Sequence, residues 1–206
     1  MHAEKKTLRA QEQLRPDVLA RRRAWLQWVS QAEPERLVFL DETGAKTNMT
    51  RSYARSRRGQ RLIDHAPLGH WNTTTLVAAI TSRGPIAPLV LDGPMNTEAF
   101  VAWVEQMLVA ALPPRAIVVL DNLPPHHAPQ VELLLRQAGA ELVYLPPYSP
   151  DFNPIELMWS KVKQSLRSAK ARTQEELWAA IAAALELVTP EEVRAFFCHC
   201  GVGIIS

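Results

Sequence analysis

Asp41 closes the apolar run Leu37-Val38-Phe39-Leu40, and Asp121 closes a second such run, Ala116-Ile117-Val118-Val119-Leu120. A short continuous apolar run is the pattern of a strand covered on both faces. Each aspartate is therefore expected at the carboxyl end of a buried strand. If the two strands are parallel neighbours, both carboxylates meet at one edge of the sheet, where open α/β sheets bind ligands. Two close carboxylates repel, so one takes up a proton unless a cation sits between them. Mg²⁺ favours oxygen donors and commonly uses one or two protein carboxylates together with phosphates. Two aspartates on adjacent strands plus one further acid suit metal-assisted phosphodiester chemistry.

The further acid is Glu156, in Ser149-Pro150-Asp151-Phe152-Asn153-Pro154-Ile155-Glu156. The same residues read as a helix start. Asn153 is placed as N-cap, Pro154 as the first helical residue and Glu156 as the third, which makes a capping box. The two duties are compatible, because the first turn projects toward the loop side of the sheet. Along this helix Ile155, Trp159, Val162 and Leu166 form an apolar face, while Glu156, Ser160, Lys163 and Arg167 share the opposite one. An acid followed by two cations on one stripe suits metal near the top and phosphate below. Asp92 also ends an apolar run, but Asp92-Gly93-Pro94 reads as a turn. Glu42 follows Asp41 directly, and neighbours on a strand point to opposite faces, so only one of the pair faces the site. His126 and His127 read as structural or surface residues, since the oxygen donors select a hard cation that imidazole suits less.

The elements that must position these residues are legible in outline. Residues 5–30 form a basic arm with helical tendency. Thr73 to Ile80 and Ile86 to Leu91, separated by Ser82-Arg83-Gly84-Pro85, read as a hairpin. Asn96 to Leu112 has helical spacing and stops at Pro113-Pro114. A helix over Pro129 to Ala138 is closed by Gly139, and Leu142 to Leu145 is a strand. Helices are expected from Asn153 to about Ala169, from Thr173 to Val188 and from Pro190 to Phe197. That order implies a mixed sheet with helices on both faces.

The composition sets bounds. The 206 residues carry 47% hydrophobic and 21% charged side chains, as a folded globular chain does. No apolar run is long enough for a membrane span, and the polar N-terminus lacks the core of a signal peptide. Cys198 and Cys200 are too close for an ordinary disulfide and too few for a zinc site, which fits a reducing cytoplasm. Net charge is only +2, but its distribution is uneven. Residues 1–23 carry seven Lys/Arg against three acids. Arg51, Arg55, Arg57, Arg58 and Arg61 form one run without an acid, and Lys161, Lys163, Arg167, Lys170 and Arg172 form another. Both are expected to contact phosphate on either side of the acids.

Leu40-Asp41-Glu42-Thr43-Gly44, Val119-Leu120-Asp121-Asn122-Leu123 and Leu145-Pro146-Pro147-Tyr148-Ser149-Pro150-Asp151-Phe152-Asn153-Pro154-Ile155-Glu156 resemble the three acidic motifs of DDE transposases. The branch is that of the bacterial insertion-sequence relatives of mariner elements. Thirty-four residues separate Asp121 from Glu156, the spacing that resemblance leads one to expect. It implies an RNase H-like (retroviral-integrase-like) α/β fold, a mixed five-stranded sheet with helices on both faces. It also implies Asp41, Asp121 and Glu156 as catalytic acids and metal ligands for two Mg²⁺ or Mn²⁺ ions. The implied reaction is hydrolysis at element ends, then attack of a 3′-hydroxyl on target DNA, with TA the usual target. The implied partners are DNA and a second copy of the chain in a homodimer, with no membrane. The expected location is the bacterial cytoplasm, on the nucleoid when bound to DNA.

The domain organisation expected is a basic arm or linker over 1–34, the catalytic domain over 35–201 and a tail over 202–206. Full-length relatives carry helix-turn-helix domains ahead of this region. None is recognised here, so a separately encoded helix-turn-helix segment is a further expected partner. His127 stands where such relatives usually have a lysine. Two other readings remain open on the residues: a truncated, non-autonomous transposase that binds DNA or subunits, and an unrelated metal-dependent nuclease or phosphatase with the same carboxylate logic.

Overall fold

The computed structural model describes residues 10–51, 53–57, 59–61, 63–67 and 73–203. Five strands form one sheet in the order β3-β2-β1-β4-β5, with β1 Leu37–Lys46, β2 Thr73–Thr81, β3 Gly84–Asp92, β4 Ile117–Leu120 and β5 Glu141–Tyr144. The hairpin β2–β3 and its pairing to β1 are antiparallel, whereas β1–β4 and β4–β5 are parallel. The sheet is mixed, as the sequence implies.

The apolar runs serve two cores. Leu37 and Phe39 of β1 join Ile117 and Val119 of β4 on one face, against α5 (Pro154–Ala169), α6 (Gln174–Glu186) and α7 (Pro190–His199). Val38, Leu40, Val118 and Leu120 face the other way, onto Phe100 and Trp103 of α2 (Thr97–Trp103) and Val131 and Leu135 of α4 (Pro129–Gln137). This period-two alternation explains why runs without a polar residue were needed. The helix expected over Asn96 to Leu112 starts on Asn96, whose side chain accepts from the Ala99 N–H at 2.8 Å. It widens into a π-helical stretch, Val104–Leu108, before a last turn, α3 (Val109–Ala111). Thr173 and Thr189 each close a capping box at the start of α6 and α7.

β1 departs from expectation. Asp41 lies inside the strand rather than at its end. Glu42 to Lys46 continue the ladder antiparallel to β2, while the parallel ladder to β4 stops at Phe39–Val119. The long partner β2 satisfies the extra backbone groups on one side, although their side chains carry no apolar run. Asp41 thus marks the end of the parallel pairing, not of the strand.

The arm forms α1 (Pro16–Val29), and its Trp25 and Val29 belong to the same core cluster as Phe39 and Trp159. Between β1 and β2 the described residues carry no helix or strand. No described helix is long and apolar enough to cross a membrane. Cys198 is exposed and Cys200 buried, both as free thiols.

Candidate active site

The parallel ladder pairs Phe39 with Val119. The ladder stops there: two residues on, Asp41 is still paired to β2, and Asp121 stands just past the end of β4. Glu156 stands in the first turn of α5. All three acids line one cleft of about 390 Å³, together with Asn122, Leu123, Asn153 and the loop from Leu145 to Pro150. Asp41 is the most enclosed, at 8% exposure. Asp121 is half-buried and Glu156 opens to solvent at the mouth.

The capping box expected at Asn153 is not formed. Asn153 has the extended backbone of an N-cap, but its side chain makes no capping bond. It is buried beside the cleft, and its Oδ1 has no partner. The Glu156 N–H bonds the Asn153 carbonyl at 3.1 Å instead. The Glu156 carboxylate is thereby left to the cleft.

The three acids are electrostatically unlike. Burial, then the charges of Glu156 and Asp121, push the Asp41 carboxyl up to about 8. Glu156 is also raised, by desolvation first and by Asp121, with Lys163 on the same helix opposing. Burial would raise Asp121 too, yet it is held below the usual carboxylate range by a hydrogen bond from His126 and another from the Leu123 N–H. His126 is fully buried and joins two carboxylates: Nδ1 lies 2.6 Å from Asp121 Oδ1, and Nε2 lies 3.1 Å from Glu42 Oε2. Burial alone would strip its proton. The two carboxylates outweigh burial and push the imidazole up to about 9, so the charged ring donates from both nitrogens. Its ring also packs on Phe100, with centroids 4.6 Å apart.

Glu42 therefore has a role that strand alternation forbade it in the cleft and gave it behind the cleft. It shares the Leu40 face and anchors His126, which orients Asp121. The sequence reading of His126 as structural missed this bridge. The available signal was a polar Glu42 on a buried face, which needs a partner. His127 is exposed and stacks on Tyr144 at 4.4 Å between centroids.

Among the described residues no three His, Cys, Asp or Glu side chains form a ready-made metal cage. Mg²⁺ keeps several waters instead of demanding an all-protein cage. The donor set of the cleft is three carboxylates and no thiol, which fits a hard divalent cation.

The basic runs divide. Lys161 bonds the Leu187 carbonyl and Glu192. Arg172 bonds the carbonyls of Thr47 and Met49. Arg51 bonds Ser168 and Lys170 pairs with Asp64. These links bring Arg51 and Asp64 against the end of α5, around a second cleft of about 710 Å³. Arg55, Arg57 and Arg61 are exposed, as is Arg167 on α5. Lys163 lies near enough to Glu156 to shift it. Arg58 lies outside the described residues.

Among the solved structures with this fold are those of the Mos1 mariner transposase. Its paired-end complex with the left transposon end superposes with a TM-score of 0.75 at 18% identity, covering 97% of this chain and 64% of that one. Its paired-end complex with Mn gives 0.74 at 17% identity, with 98% and 64% covered. Its isolated catalytic domain gives 0.67 at 15% identity, with 95% and 93% covered. The fold is thus RNase H-like, and the chain spans about 64% of the length of the larger Mos1 transposase chains it matches. No curated protein matches the sequence. The model of the DDE superfamily endonucleases matches residues 36–178, a stretch that holds Asp41, Asp121 and Glu156, and the chain belongs to that family.

Proposed function

We propose that this chain is the catalytic domain of a transposase, a divalent-metal-dependent DNA endonuclease and strand transferase. The observation that carries the reading is that Asp41, Asp121 and Glu156 line one cleft, the two aspartates lying just beyond the parallel β1–β4 ladder. Asp41, Asp121 and Glu156 would hold two Mg²⁺ or Mn²⁺ ions. Bound there, the ions would activate the attacking oxygen and steady the leaving oxygen of a phosphodiester. His126 keeps Asp121 ionised and fixes its orientation. Asp41 would give up its proton to take part in holding a divalent cation, whose charge offsets the repulsion of the other two acids. Lys163 and Arg167, with Arg55, Arg57 and Arg61, would hold the DNA backbone by phosphate charge.

The proposal includes residues 1–34 as an arm joined to a catalytic domain over 35–201, and a homodimer acting on element ends. A separately encoded helix-turn-helix segment would recognise those ends, and the work would take place on the bacterial nucleoid. It is supported by the likeness to structures of Mos1 bound at a transposon end and in a strand transfer complex.

Duplexes carrying element ends, incubated with the chain and Mg²⁺ or Mn²⁺, test it. Cleavage is expected with either ion, with Ca²⁺ binding but supporting little. Asp41→Asn and Asp121→Asn should reduce cleavage to background while the chain stays folded. DNA binding without cleavage in any divalent metal would favour a non-autonomous binding protein.

A further inference from the structure

Three consecutive arginines sit in α1, and only the middle one is drawn inward. Val18, Arg22, Trp25 and Val29 fall at i, i+4, i+7 and i+11 and share the buried stripe, while Arg21 and Arg23 are exposed. The Arg22 side chain is 12% exposed. Its guanidinium makes a two-pronged bond to Asp151, at 2.9 Å to Oδ1 and 2.7 Å to Oδ2, and donates to Ser149 Oγ at 2.7 Å. The same group lies over the Phe152 ring, 4.0 Å from its centroid. Nearby, Gln13 Nε2 donates to the Tyr148 carbonyl at 2.6 Å. Tyr148 itself has φ of +55°, a left-handed conformation that a non-glycine residue keeps only where its surroundings impose it.

These contacts fall on the segment that walls the acid cleft and leads into the first turn of α5. Phe152 is in the core with Ile155 and Trp159, so its ring couples the segment to the buried face of that helix. A planar guanidinium can fork onto a carboxylate and stack on a ring at once, which a lysine ammonium cannot do.

We propose that Arg22 is a positioning residue for Glu156. Through Asp151, Ser149 and Phe152 it holds the Tyr148–Asn153 segment and so sets Glu156 against Asp41 and Asp121. Docking of the arm and competence of the site are then one event. This rests on the reading of Glu156 as a metal-holding acid.

The test uses Arg22→Lys, Arg22→Met, Asp151→Asn and the double variant Arg22→Met/Asp151→Asn in the full chain, with Arg21→Met and Arg23→Met as controls. Amide hydrogen exchange without metal is the first readout, because the Phe152 and Asn153 N–H groups are bonded within the segment. Both should exchange about 10-fold faster or more in Arg22→Met, with β1 and β4 unchanged. Mn²⁺ affinity and the cleavage rate at saturating DNA should each fall about 10–100-fold, alike in Arg22→Met and Asp151→Asn and no further in the double variant. Lysine should not restore them, and DNA affinity should stay near that of the control variants. Unaltered exchange and Mn²⁺ affinity in Arg22→Met would overturn the proposal, as would equal losses in Arg21→Met or Arg23→Met. Should the unaltered chain bind no Mn²⁺ and cleave no DNA, the functional reading fails, and the exchange rates still decide whether Arg22 holds the segment.

Discussion

Asp41 and Asp121 are the same side chain in one cleft, held in opposite states. Asp41 is raised to about 8 from an ordinary value near 4, so the folded chain binds a proton there that the unfolded chain releases. That contribution to stability is complete below about pH 4 and is lost as pH rises through 8. His126, raised to about 9, contributes in the same sense, fully below about pH 6.5 and lost through 9. Thermal melting in metal-free buffer should therefore decline from pH 5 to 9. Asp41→Asn should flatten the lower part of that decline and melt no lower than the parent at pH 8. A lower melting temperature there would give Asp41 a structural role instead. His126→Phe would leave Glu42 buried without its partner and Asp121 unheld. It should cost about 3 kcal/mol in urea unfolding and weaken Mn²⁺ binding about 10–100-fold. The acids could be read from sequence because an apolar run ending in Asp is a local signal. The Glu42–His126 bridge could not, because its partners are 84 residues apart and only the packed sheet brings them together.

At the scale of elements, α5 does the most. Its apolar face was legible from spacing, and Ile155, Trp159, Val162 and Leu166 are all buried as read. Trp159→Ala should cost about 3–5 kcal/mol by opening a cavity under the helix. It should also weaken Mn²⁺ binding more than a surface change such as Ser160→Ala, because Glu156 stands one turn away. Equal Mn²⁺ affinity in the two variants would separate the helix from the site. The second half of β1 was illegible for a physical reason. Glu42 to Lys46 carry no apolar run and are kept extended by hydrogen bonds to β2, a partner that local sequence does not name. Lys161 belongs to an acid-free run that is legible in the sequence, but its bonds to the Leu187 carbonyl and Glu192 are not, because they depend on how α6 and α7 pack.

Across the whole molecule a net charge of +2 hides two basic runs without an acid. Arg51 and Asp64 lie against the end of α5, the helix whose first turn carries Glu156. Phosphate contacts carry little sequence information, so DNA binding by this chain should be weak and steeply salt-dependent, with little preference for element ends. Titrations of end-sequence and random duplexes at several salt concentrations check this, and tight, salt-insensitive, end-selective binding would contradict it. The claim on which everything else depends is that three acids from two strands and a helix form one metal site. Anomalous diffraction from crystals of the chain soaked in Mn²⁺ tests it directly. Density is expected between Asp41 and Asp121 and beside Glu156, roughly 2 Å from their oxygens, and it should vanish in Asp121→Asn. Manganese bound elsewhere, with none between the two aspartates, would contradict the account.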